Sequence, residues 1–255
     1  MRLKVRIRQS LGCAVLIVAL ALCCSGQSNP SLIASAKGIT TDDEMHEWVT
    51  YYYLHPRPDL TVSAIQLMSK KGWLSKSSSQ SPLAAFLAQV FASNGDKLNA
   101  WVTELKTETE DQKIMAALAL WMSHSSESKK LLEQMAVKGS ASYQDYVKGL
   151  IRDDHPPDFL KDAISSPGFL DALWGSFFAT GDERYVRRLI STLPLLSSKD
   201  TQNVLIGGAA QWSLASNAEQ HPRVMEICKS ELSKLPDDQK PVLEKVIESA
   251  HDRTK

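Results

Sequence analysis

Residues 81–96 read SPLAAFLAQVFASNGD, and this stretch decides the fold class. Leu83, Phe86, Leu87, Val90 and Phe91 stand at i, i+3, i+4, i+7 and i+8, the apolar stripe of a helix that lays one face on a core. Ser81-Pro82 predicts the start, with Ser81 as N-cap and Pro82 at the first helical position, where a missing N–H costs nothing. Gly95-Asp96 predicts a stop and a new start: a left-handed Gly closes one helix and Asp caps the next.

The same grammar extends to both sides. Thr41-Asp42-Asp43-Glu44 is a capping box ahead of Met45, Trp48, Val49 and Tyr52 at helical spacing. His55-Pro56-Arg57-Pro58 ends that helix, because a residue before Pro avoids helical geometry. Further stripes run through Ile114, Leu118, Trp121 and Met122, then Val186, Leu189, Ile190 and Leu193. Two more follow, at Leu205, Ala209 and Trp212 and at Val242, Val246, Ile247 and Ala250. Gly72, Gly139 and Gly181, like Gly95, fall just past such stripes, where a left-handed residue belongs. No period-two alternation follows residue 40. The chain is predicted to be all-α, and each of its six Trp (48, 73, 101, 121, 174, 212) is expected in the core.

A duplication is visible in this pattern. Phe91-Ala-Ser-Asn-Gly-Asp96 can be laid on Phe177-Phe-Ala-Thr-Gly-Asp182, and residues 112–121 (QKIMAALALW) on residues 203–212 (NVLIGGAAQW). Two units, residues 82–138 and 168–235, are predicted, each built on a helix hairpin turned at Gly-Asp. Stacked antiparallel hairpins of this kind resemble the α-solenoid class of tetratricopeptide and HEAT repeats. The resemblance covers residues 40–251 and is one of architecture; the tetratricopeptide consensus of Trp, Leu-Gly and Tyr is not reproduced.

The N-terminus reads as an export leader. Arg2, Lys4, Arg6 and Arg8 precede an apolar run, Leu11–Leu22, and small residues follow. Such a run makes about 18 Å of helix, too short for roughly 30 Å of hydrocarbon. Residues 1–24 are therefore expected to be a secretory or lipoprotein signal and 25–39 a tether. Cys23 and Cys24 stand at the exit in a context similar to the lipobox of bacterial lipoproteins. Cys24, with the smaller residue before it, is the better acylation candidate, and ordinary cleavage near Gly26 is the alternative. Cys228 then stands alone in the body, so no disulfide framework is expected.

Charge narrows the function. Lys+Arg and Asp+Glu both number 29, and loss of the four basic residues of the leader leaves a mildly acidic chain, which is no nucleic-acid binder. His46-Glu47 starts like a zinc-protease helix, but Thr50 stands where the second His belongs. No nucleophile elbow, phosphate loop or Cys-x-x-Cys occurs. Gly207-Gly208 reads as a close helix–helix approach and Cys228 as a small buried hydrophobe. Two clusters are candidate partner contacts: Tyr51 and Tyr53 with Arg57, and the loop Asp153-Asp154-His155. The expected function is a non-catalytic, exported helical scaffold of the bacterial envelope that binds a protein or peptide. No cofactor or metal is implied, and membrane contact is expected only through an N-terminal lipid anchor. The alternative is an envelope enzyme or carbohydrate-binding module acting on cell-wall glycan.

Overall fold

A computed structural model describes residues 38–105, 109–153 and 155–252. The leader, Cys23, Cys24, most of the tether and Asp154 lie outside the described residues. Within them the chain is all-helical, without a strand. Helices α1 (Asp42–Tyr51) and α2 (Thr61–Lys70) flank a 3-10 turn at Pro58–Leu60. Then come α3 (Ser77–Ala92), α4 (Leu98–Leu105), α5 (Glu110–Met122), α6 (Ser126–Met135) and α7 (Ala141–Arg152). A loop leads to α8 (Pro167–Thr180) and α9 (Glu183–Ile190); a 3-10 turn, Leu193–Ser197, precedes α10 (Thr201–Gln220). Helices α11 (Pro222–Leu232) and α12 (Lys240–Asp252) complete the chain. None of the described helices is long and apolar enough to cross a membrane.

Neighbours in sequence pack as neighbours in space: α5 on α6, α6 on α7, α8 on α9, α10 on α11 and α11 on α12. Short connections between amphipathic helices enforce this, since each buries its stripe against the nearest partner. Helices α3 and α8 pack extensively on each other, and their Phe86, Leu87, Phe91, Leu173, Trp174 and Phe177 are all buried. The closest approach is at Gly175. A Cβ there would lie 2.3 Å from the Pro82 carbonyl oxygen and 3.3 Å from the Phe86 nitrogen. Backbone rests on backbone, and only Gly permits it.

This contact also explains a departure from the sequence reading. Helix α3 starts at Ser77, so Ser81 is not its N-cap and Pro82 lies in the helix interior. An interior Pro removes one backbone hydrogen bond. Here the Pro82 carbonyl sits at the α3–α8 crossing, where packing of large apolar side chains outweighs that loss.

The capping box of α1 is present: Thr41 Oγ1 accepts from the Glu44 N–H, and Glu44 Oε2 accepts from the Thr41 N–H. Gly72, Gly139 and Gly181 have positive φ, at 68°, 89° and 67°. Gly95 does not. The two Gly-Asp turns are built differently: Asp182 accepts the Arg184 N–H as the N-cap of α9, whereas Gly95-Asp96-Lys97 forms a 3-10 turn with no side-chain cap. In the first turn a second connector, the 3-10 turn, does the work that a left-handed Gly does in the second.

Helix α10 is rotated from the expected stripe. Ile206, Gly207, Ala210 and Leu214 face the core, while Leu205 is 52% and Trp212 39% exposed. Gly207 sets that rotation, because a Cβ there would stand 2.7 Å from the Leu196 nitrogen. Its close neighbour is thus the 3-10 turn before α10 rather than another helix, and Gly208 has nothing within 4 Å of a notional Cβ. Of the six Trp, Trp48, Trp101 and Trp174 are buried, Trp73 and Trp121 are partly buried against the core, and Trp212 departs from the core expectation.

Candidate functional site

A cleft of about 80 Å³ opens where α4, α5, α6 and α7 converge. Val102 and Leu105 from α4, Ala116 from α5, Met135 from α6 and Tyr143 from α7 form its apolar wall, and Lys113, Gln134 and Lys138 its polar part. The wall is assembled by the same stripes that build the core: Val102, Leu105, Ala116, Met135 and Tyr143 are all among the buried residues. Gly139 shapes one edge. Its φ of 89° is left-handed, and a Cβ on it would lie 2.9 Å from Tyr143 Cδ1, so the Tyr143 ring lies directly against its backbone.

Electrostatics at the cleft are one-sided. Neither Lys113 nor Lys138 forms an ion pair among the described residues. Glu110, one turn before Lys113 on α5, is held elsewhere: its Oε1 accepts from Ser140 Oγ and Ser142 Oγ, each at 3.2 Å. Ser140 is in turn the N-cap of α7, accepting from the Tyr143 N–H at 3.2 Å. Burial pushes the Tyr143 phenol up, helped by Tyr146 and Glu110, so it stays a neutral hydroxyl at physiological pH.

The sequence-predicted contacts are distributed differently. Tyr51 and Tyr53 converge on one buried residue, His221: their rings lie 5.2 and 5.8 Å from its imidazole. Tyr53 also donates its backbone N–H to the Phe178 carbonyl at 2.9 Å. Both tyrosines are half-buried, joining the end of α1 to α8 and to the α10–α11 junction. Arg57 is apart from them, paired with Asp59 at 2.6 Å. In the other cluster, the Asp153 carbonyl accepts from Trp121 Nε1 at 2.8 Å, and Asp153 Oδ1 accepts the His155 N–H at 3.3 Å. His124 Nε2 lies 3.3 Å from the Pro157 carbonyl on the same loop. The loop is thereby tied to α5 and to the turn after it. Asp154 lies outside the described residues.

Sequence reasoning passed over two groups. His221, fully buried between Gln220 and Pro222, gave no pattern, and its imidazole is pushed down to about 4 by burial and by His46. Asp171, on α8 between buried Leu170 and Ala172, has its carboxyl pushed up to about 6 by burial alone. A lone acid in an apolar stripe is the signal that was there to be read. No charged neighbour contributes to that shift. His46 is half-buried, with Nδ1 3.4 Å from Thr50 Oγ1. No group of three or more His, Cys, Asp and Glu among the described residues is placed to hold a metal ion.

Comparison of the chain with protein-family models, with curated proteins and with solved structures finds no match.

Proposed function

We propose that this protein is a non-catalytic helical scaffold of the bacterial envelope, exported by its N-terminal leader, that binds a protein or peptide segment in the α4–α7 cleft. The cleft carries this reading. It joins a wall of five apolar side chains from four successive helices to a polar edge without paired acids, a surface suited to seating a side chain rather than to activating water. Its size selects the occupant. A cavity of about 150 Å³ admits benzene in a well-known engineered case. The cleft of about 80 Å³ fits a branched aliphatic side chain better than an aromatic one. Stacked hairpins expose such clefts at intervals, which is how α-solenoids hold extended partners. The leader-like residues 1–24 and the Cys23-Cys24 exit support export, with Cys24 as the anchor.

The test is to place a photo-crosslinking residue at Val102 in the tagged full-length protein and illuminate intact cells. Adducts with defined polypeptides at position 102, absent when the same residue stands at exposed Lys199, are expected. Adducts with glycan alone would replace the scaffold reading with the carbohydrate-binding one.

A further inference from the structure

The polar part of the cleft indicates what kind of segment it takes. We propose that the ligand is an acidic peptide whose aliphatic side chain enters the apolar wall while flanking carboxylates meet Lys113 and Lys138; this rests on the peptide-scaffold reading of the same cleft. Lys113 is half-buried and Lys138 exposed, and both line the cleft. Four of the described lysines, Lys71, Lys161, Lys234 and Lys240, meet a carboxylate at 2.6–2.8 Å. The two at the cleft do not, although Glu110 stands one turn from Lys113. That carboxylate accepts two serine hydroxyls instead and is held at the start of α7. The cleft therefore keeps two uncompensated cations beside an apolar wall. Such cations attract an incoming anion, and the complementary field discriminates among partners as well as attracting them.

Among the described residues that line the cleft the charged ones are Lys113 and Lys138, and no carboxylate lines it. A neutral or basic peptide would leave both ammonium groups facing unsatisfied or like-charged groups, which costs affinity.

The experiment uses the full-length protein and two capped peptides. One has a single leucine flanked on each side by two aspartates; its twin has asparagines in place of the aspartates. Titration by fluorescence anisotropy at low and high salt is compared for the wild type, Lys113→Gln/Lys138→Gln and the distant control Lys199→Gln. The expected result is preferential binding of the acidic peptide, weakened about tenfold by the double substitution and by 0.5 M salt, and unchanged in the control. Equal affinity for the twins, with no effect of the double substitution, would overturn the inference while leaving the peptide-scaffold reading intact. Binding of neither peptide by a folded, helical protein would overturn both. Circular dichroism of each variant separates loss of contact from loss of fold.

Discussion

The Tyr53 hydroxyl lies 3.1 Å from His221 Nδ1, joining residues 168 positions apart in the chain. His221 is fully buried and ringed by Tyr51, Tyr53, Phe177 and Phe178, and its Nε2 has no hydrogen-bond partner among the described residues. A neutral ring tolerates that setting and a protonated one does not, because a buried cation needs a counter-charge. The contact closes the end of α1 onto the α10–α11 junction, so its protonation state is a property of the whole fold.

Stability is therefore expected to fall in mild acid. The His221 pKa is about 4 folded against an ordinary value of 6.5. Between those values the unfolded chain binds the extra proton and the folded one does not. The contribution is complete above pH 6.5 and is lost as pH falls toward 4, by up to about 3 kcal/mol. Asp171 acts in the opposite sense. Its folded pKa of about 6 exceeds the ordinary 3.8, so it favours the fold at low pH and loses that contribution as pH rises through 6. Urea denaturation at pH 7 and pH 4.5 should show a steeper acid loss in Asp171→Asn than in the wild type, and a shallower one in His221→Gln. Parallel profiles for all three proteins would mean that neither group titrates as described.

Two identical substitutions should have opposite signs. Gly→Ala in a helix ordinarily gains up to about 1 kcal/mol of propensity. At Gly208, where a methyl group meets nothing within 4 Å, that gain is expected to appear as a higher thermal midpoint. At Gly175 the methyl group would meet the Pro82 carbonyl oxygen at 2.3 Å. Overpacking of this kind costs about 1–3 kcal/mol and exceeds the propensity gain, so the midpoint should drop by several degrees. Differential scanning calorimetry of both variants checks the α3–α8 crossing directly.

The two Gly-Asp turns should respond unequally. Asp182 accepts the Arg184 N–H at 2.9 Å, and Asp182→Ala removes a cap worth roughly 0.5–2 kcal/mol. Asp96 is exposed and caps nothing, so Asp96→Ala should be within about 0.5 kcal/mol of the wild type. Chemical denaturation of both variants decides it; equal losses would show that Asp96 caps in solution.

The Cys228 thiol, fully buried and pushed up to about 12 by that burial, should not react with a disulfide reagent at pH 8 while the protein is folded. Labelling should follow unfolding. Rapid stoichiometric labelling of Cys228 in the native protein would show that α11 detaches readily.

How much of this was legible follows from which physics is local. The helix class, the α1 capping box and the left-handed Gly72, Gly139 and Gly181 depend on spacing and on near neighbours, and the sequence displays both. The start of α3 was misplaced because Pro82 is a good first residue locally, and only the distant Gly175 makes its interior position worthwhile. The rotation of α10 was missed for the same reason: Leu205, Ala209 and Trp212 form as regular a stripe as Ile206, Ala210 and Leu214, and the Leu195–Leu196 turn chooses between them. The cleft was not legible at all. Its wall comes from four helices, and its character depends on Glu110 being held by Ser140 and Ser142, which no spacing announces. Tyr51 and Tyr53 were noticed for their chemistry, and the structure turns them inward to His221.

If an acidic, aliphatic peptide segment seats between α4 and α7 as proposed, mapping where the peptide lands will show it. Backbone amide shifts of the full-length protein should be recorded while the leucine peptide flanked by aspartates is titrated in. The perturbed amides are expected to gather around Val102, Ala116, Met135, Gly139 and Tyr143, and the shifts to collapse in Lys113→Gln/Lys138→Gln. Shifts centred instead on the exposed Leu205 and Trp212 face of α10, with the cleft unmoved, would contradict it.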